Sequence, residues 1–153
     1  MEIQSLKLFV TDADAAAYAA KALRDHDTIE GLAVRLTPEG VLVQGEYPTS
    51  FFKVPFETLW EVTASGPQVQ VRLASVKVAG FPAGMLRGAL MKMVRDAVAD
   101  EVGVRVEDEA VHVHVGQALA GQGVDLQVCF TAVRMSIGSA VLEAGPIGGG
   151  PGA

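Results

Sequence analysis

The sequence predicts an α+β fold: one long amphipathic helix wrapped by a highly curved antiparallel sheet, built from two helix plus four-strand repeats. Three observations predict it. Between Phe81 and Glu101, residues Leu86, Leu90, Met93, Val94, Ala97 and Val98 fall at i, i+4, i+7, i+8, i+11 and i+12, a continuous stripe at helical period. The segments on either side alternate apolar and polar residues at period two, which is the pattern of half-buried strands. Finally, LAVRLTPEGVLVQ and VGVRVEDEAVHVH align without a gap at an offset of 70, with Val34 on Val104, Val43 on Val113, and Trp60 on Phe130 at the same offset. A helix precedes each hairpin, so the plan is read twice.

Composition bounds the function. With 153 residues, half of them apolar and a fifth charged, the chain forms one domain with a real core and is not globally disordered. A net charge of −6 argues against a nucleic-acid partner, because affinity for phosphate backbones rests on Lys and Arg. Cys129 is the single cysteine, which rules out an intramolecular disulfide. The opening MEIQSLKLFVTDAD lacks a basic region followed by an unbroken apolar one, and no apolar run approaches the ~20 residues needed to span a bilayer. The expectation is a cytoplasmic protein.

In chain order, Ile3, Leu6, Leu8 and Val10 predict a first strand. Thr11 followed three residues later by Asp14 forms a capping box, which opens an Ala-rich helix from Asp12 to about Asp27. Leu32, Val34 and Leu36, the turn at Thr37-Pro38-Glu39-Gly40, then Val41 and Val43 read as a β-hairpin. The next strand puts Phe52, Val54, Phe56, Trp60 and Val62 on one face, and Lys53, Glu57 and Glu61 on the other. After Ser65-Gly66-Pro67, Val69, Val71 and Leu73 share a face but Val76 and Val78 have the opposite parity. That switch requires a bulge or bend near Ala74 and Ser75. In the long helix Pro82 suits the first turn, Ala89 and Met91 widen the apolar stripe, and Lys92, Arg95 and Asp96 face water. The second half repeats the parity change, from Val124, Leu126, Val128 and Phe130 to Val133, Met135 and Ile137. The single domain therefore spans residues 1–145, with repeats at about 3–80 and 81–145, and the Gly/Pro-rich tail 146–153 is expected to be disordered.

Several of these features together resemble the tubular lipid-binding superfamily. They are the V-x-V-x-G-x-P step of Val76, Val78, Gly80 and Pro82, the long helix, GVRVEDEAVHVHV from Gly103, and the closing AVLEAG from Ala140. That superfamily includes the bactericidal/permeability-increasing-like proteins, the SMP domains of membrane contact sites and small bacterial relatives. The resemblance runs from Ile3 to Gly145. It implies acyl chains held in a seam between helix and curved sheet, and subunits that meet end to end. The expected lack of a secretory leader, and the single cysteine that leaves no internal disulfide, depart from the secreted members.

No enzyme constellation is present: no Ser sits in a G-x-S-x-G elbow, and the expectation is a protein without catalysis, metal or cofactor. His112 and His114 share a strand face and are candidate metal ligands with His26 or a Glu, but Val111, Val113 and Val115 take the core face and leave both His to solvent or a partner. Cys129, between Val128 and Phe130, reads as a packing thiol. Glu107-Asp108-Glu109 occupies a hairpin turn and reads as solvated. Phe51 and Phe52, beside Tyr47, Pro48 and Lys53, form a candidate membrane-dipping tip for transient membrane contact, although Phe52 has core parity. The main candidate ligand site is the stripe Met85, Leu86, Leu90, Met93, Val94 and Val98, facing Phe52, Phe56, Trp60, Leu126 and Phe130. It is either ordinary core or a seam for lipid or fatty acid. The expected function is accordingly non-enzymatic binding of lipid or another hydrophobic ligand. The alternative is a structural, self-assembling module whose helix fills the groove. A homodimer is expected, because a sheet that does not close leaves unpaired edges.

Overall fold

Period-two alternation covers most of the chain, and sheet dominates the structure. The computed structural model describes residues 6–22, 30–48, 51, 53–78, 83–121, 123 and 128–146. In order the elements are β1 (Leu6–Thr11), α1 (Asp12–Ala22), β2 (Glu30–Thr37), β3 (Gly40–Pro48), β4 (Lys53–Ser65), β5 (Gln68–Val78), α2 (Ala83–Ala97), β6 (Val104–Glu107), β7 (Ala110–His114), α3 (Val115–Ala120), β8 (Val128–Ser136) and β9 (Ser139–Pro146). The strands form two antiparallel sheets, one of six strands in the order β2-β3-β4-β5-β7-β6 and one of three in the order β1-β9-β8.

This corrects the predicted fold class. Among the described residues there is no long helix wrapped by one curved sheet: α2 has 15 residues, roughly 22 Å of helix, and packs through Leu86 and Leu90 against β3, β4 and β5 near Phe56, while the strands divide between two sheets. The helix ends early for local reasons. Beyond Ala97 the chain tightens, with Ala99 N donating to Asp96 O and Glu101 N to Val98 O, and Gly103 then takes φ +82°. Asp100 and Glu101 would have placed carboxylates at the negative end of the helix dipole, where they are unfavourable. Leu23 and the rest of the stretch predicted to extend α1 to Asp27 lie outside the described residues, as do Ile3, Phe81, Pro82, Val124 and tail residues 147–153.

The 70-residue spacing reappears as strand register. Val34 pairs with Val43 and Leu36 with Val41 in the first hairpin, and Val104 pairs with Val113 and Val106 with Val111 in the second. Beyond the hairpins the two halves diverge. β4 continues the sheet beside β3, whereas β7 pairs with β5 and the chain then enters α3, so β8 and β9 join β1 instead. α3 begins at Val115, which the alternation had read as a strand residue; His114 caps it, its Nδ1 accepting from Gln117 N at 3.1 Å.

Both parity changes coincide with bulges. Leu59 pairs with Ser75 and Trp60 with Leu73, leaving Ala74 unpaired; on β8, Phe130 pairs with Ala144 and Ala132 with Glu143, leaving Thr131 unpaired. A bulge lets one strand present apolar side chains to the same side on both of its halves. Among the described residues two small cores result. Phe56, Leu86 and Leu90 pack with Tyr47, Val76 and Val78, and Phe130 and Ala144 pack with Ala64, Val69, Val115 and Leu142. Thr58, the buried polar residue of β4, is satisfied on both sides, donating to Val43 O at 3.1 Å and accepting from Trp60 Nε1 at 2.9 Å.

Among the described residues, backbone hydrogen bonds tie the sheets at two places. Phe130 N donates to Gly66 O at 2.5 Å, and Gly138 N, in the β8–β9 turn, donates to Leu36 O at 2.9 Å.

Candidate functional site

The predicted ligand stripe divides in the folded chain. Leu86 and Leu90 are 2% and 6% exposed and close against Phe56, at 5%, on β4. Met93, Val94 and Val98 continue the same side of the helix but are only half-buried, and Met85 points to solvent with 63% exposure. Met91, on the flank of the stripe, is buried as well. Trp60 is half-buried one bulge away on β4, and Phe130 belongs to the second core beside Ala144. Phe52 and Leu126 lie outside the described residues.

An arginine within the stripe, not singled out by its spacing, holds α2 in place. Arg87 pairs through Nε with Glu109 Oε2, and its Nη2 donates to Leu73 O at 3.0 Å. Glu109 therefore does not sit in a purely solvated turn. Its own carbonyl accepts from Leu73 N at 3.0 Å, so the β6–β7 turn is fastened to β5 from two directions. Asp108 and Glu109 hold φ of 49° and 64°, a left-handed pair that a tight hairpin turn demands even without glycine.

Polar residues line the outer face of the six-stranded sheet. Ala33, Gln44, Glu57 and Lys77 stand on one rung, and with Gly31, Glu46 and Pro55 they border an open depression of about 630 Å³. Gln44 Nε2 donates to Glu57 Oε1 at 3.0 Å and Arg35 Nη2 to Gln44 Oε1 at 3.2 Å. At its margin Lys53 pairs with Glu30, whose hydrogen bond and charge hold the Lys53 ammonium above the usual lysine range. Phe51, just before β4, is 92% exposed, whereas Cys129 is half-buried on β8. His112 faces Arg105 and Gln70 across the sheet, and His114 is occupied as the cap of α3; His26 lies outside the described residues. Among the described residues no three His, Cys, Asp or Glu side chains converge as a metal site would require, and no helix is long and apolar enough to cross a membrane.

Among the described residues, β1 carries two exposed large apolar side chains side by side in sequence. Leu8 and Phe9 point to opposite faces of the three-stranded sheet and are 39% and 67% exposed. Around Phe9, Lys7 and Arg134 both approach Glu143, at 3.8 and 4.0 Å. The edge itself has a definite polarity. Asp12 N donates to Gly138 O at 3.2 Å, one step beyond the Thr11–Ser139 pair, so the even-numbered residues of β1 bond to β9. Lys7, Phe9 and Thr11 consequently direct their amides and carbonyls outward. Thr11 N is taken by Asp14 Oδ2 at 3.0 Å. Among the described residues nothing bonds the outward groups of Lys7 and Phe9.

Among the described residues, each of the other sheet edges is engaged or guarded at one place. On β2, Leu36 N donates to Asp12 Oδ1 at 2.7 Å and Leu36 O accepts from Gly138. β6 is four residues long and carries the Arg105–Glu107 ion pair, and β8 is engaged by Gly66. Sequence patterning did not single out β1 as a site. Its signal was LKLFV, in which adjacent Leu8 and Phe9 cannot both face one core. Compared with known proteins, the chain matches no family model, no curated protein and no solved structure, and nothing there links it to the tubular lipid-binding superfamily.

Proposed function

We propose that the protein is a non-enzymatic interaction module of the cytoplasm, whose helix–sheet contact is filled by its own side chains and whose partner-binding surface is the β1 edge. The observation that carries this reading is the direction in which apolar surface is spent: Leu86, Leu90 and Phe56 close on one another, while Leu8 and Phe9 are presented outward on an edge strand. Exposed apolar side chains beside unpaired backbone groups favour docking of another strand, because main-chain hydrogen bonds and side-chain burial are gained together. The unpaired Cys129 is in keeping with a reducing compartment.

A second reading is favoured by the half-buried run of Met93, Val94 and Val98, which continues past the closed part of the contact. Here an apolar ligand, a fatty acid or other lipid, would lie along the distal half of α2. Organic extraction of the purified protein followed by mass spectrometry, with titration of a fluorescent fatty acid, separates the two. The interaction reading expects empty extracts and no saturable uptake. Stoichiometric co-purified lipid would overturn it in favour of the second.

A further inference from the structure

We propose that the partner of the β1 edge is a second copy of this chain, and that the two β1 strands pair antiparallel about a twofold axis at Leu8. This rests on reading β1 as the interaction surface and adds the partner and the register.

The register follows from which groups are available. Only Lys7 and Phe9 carry outward amides and carbonyls that no described residue uses, since Thr11 N is bonded to Asp14. An antiparallel pairing that uses these groups and no others sets Lys7 opposite the partner's Phe9, and Phe9 opposite the partner's Lys7. Each such pair exchanges two N–H···O=C bonds, giving four across the axis, and Leu8 faces the partner's Leu8 as a pair without backbone bonds. Shifting the register by two residues one way sets Lys7 directly against the partner's Lys7, a like-charge contact that destabilises a sheet. The opposite shift requires the Thr11 amide, which is engaged.

Charge and shape agree with the chosen register. Lys7 remains neutralised by Glu143 of its own chain and comes beside the partner's Phe9 ring, a cation against an aromatic face. On the other face Leu8 meets its own copy and loses its exposure. The outcome is one continuous six-stranded sheet in the order β8-β9-β1, then the partner's β1, β9 and β8. A six-residue strand buries less than the ~1,200–2,000 Å² of a standard interface, so the dimer should be concentration-dependent, forming at roughly micromolar to tens of micromolar chain.

The test uses the full chain in two ways. In light scattering across that concentration range, the wild type should pass from one chain mass to two. Phe9→Pro removes the outward N–H without touching the β1–β9 ladder, and should raise the dissociation constant about tenfold or more, whereas Phe9→Val keeps the amide and should dimerise more nearly as wild type. Because proline can disturb the strand, Leu8→Cys in a Cys129→Ser background supplies an independent readout. Facing residues without backbone bonds have Cα atoms about 4.5 Å apart, within disulfide range, so mild oxidation should give a covalent dimer, and Lys7→Cys should not. A single chain mass at every concentration, an unchanged dimer in folded Phe9→Pro, or equal cross-linking by Lys7→Cys would overturn the proposal. A single chain mass with empty lipid extracts would refute the second-copy partner alone, whereas stoichiometric lipid would refute the interaction reading beneath it.

Discussion

Asp12 reaches across from the start of α1, just after β1, to accept the Leu36 amide on its Oδ1 at 2.7 Å, and so occupies the outer edge of β2 at that residue with a carboxylate. The same residue's amide donates to Gly138 O, and Gly138 N donates to Leu36 O, so three residues from three segments satisfy one another. Asp12→Ala should therefore cost about 1–2 kcal/mol in urea denaturation, the loss of a partly buried hydrogen bond to a charged acceptor, while Asp12→Asn retains an acceptor and should lose less than half of that. If the alanine variant melts with the wild type, this contact does not hold the sheets together.

Leu90 and Lys92 test the helix face. A carboxylate at the closed Leu90 position must be buried against Phe56 and Leu86, at a cost of several kcal/mol, enough to unfold a marginal domain. Lys92 is exposed, about 200° around the helix, and Lys92→Asp should stay within roughly half a kcal/mol of wild type. Thermal melts by circular dichroism decide it. A well-folded Leu90→Asp would mean that water reaches the contact, and would favour the ligand-binding reading.

Arg87 gives a third expectation. Its side chain is about a third exposed and that of Glu109 more so, which limits the ion pair to roughly 1 kcal/mol or less after solvent screening. The bond from Arg87 to the Leu73 carbonyl is additional. Arg87→Ala should accordingly destabilise more than Glu109→Gln, and a double-mutant cycle should return a coupling of about 0.5–1 kcal/mol that shrinks in high salt. A coupling indistinguishable from zero at low salt would show that the pair contributes nothing.

Two glycines of positive φ separate strain from crowding. At Gly40, φ is +146° and an added Cβ would stand 2.1 Å from the Trp60 carbonyl oxygen; at Gly66, φ is +58° and no atom lies within 4 Å of that position. Gly66→Ala should cost about 1–2 kcal/mol from backbone strain alone, and Gly40→Ala distinctly more, because the β3–β4 ladder must part to admit the methyl group. Equal midpoints in urea would contradict this packing at Trp60.

Much of the local structure was legible in the sequence because it depends on neighbours in the chain. Thr11 and Asp14 form their reciprocal box, Thr11 N to Asp14 Oδ2 at 3.0 Å and Asp14 N to Thr11 Oγ1 at 3.3 Å. Both bulges lie where the apolar parity changes, at Ala74 and Thr131, and the two hairpins keep one register across the 70-residue offset. The length of α2 and the division into two sheets were not legible. Periodicity records that Leu86, Leu90, Met93 and Val94 share a side, but not how far the neighbouring sheet extends to cover them. Arg87 and Asp12 escaped notice for a related reason: their partners, Glu109, Leu73 and Leu36, are distant in sequence and carry no motif. Among the predicted ligand residues, Leu86, Leu90 and Phe56 were brought together, while Phe130 went to another core through the pairing of β8 with β9.

The pairing of β1 with β9 also sets a timetable for synthesis. Leu6 pairs with Ala144 and Thr11 with Ser139, so β1 cannot pair until β9, far later in the chain, has been made. The β2–β3 hairpin can close as soon as it emerges, whereas the β1–β9 contact spans every described element from α1 to β8 and carries the larger loop-closure entropy. During that interval LKLFV is an apolar strand with both edges unpaired, at the stage when nascent chains are most prone to aggregate. Crowded polysomes would bring several such strands together, and the single charge of Lys7 would then be the segment's main safeguard against premature pairing.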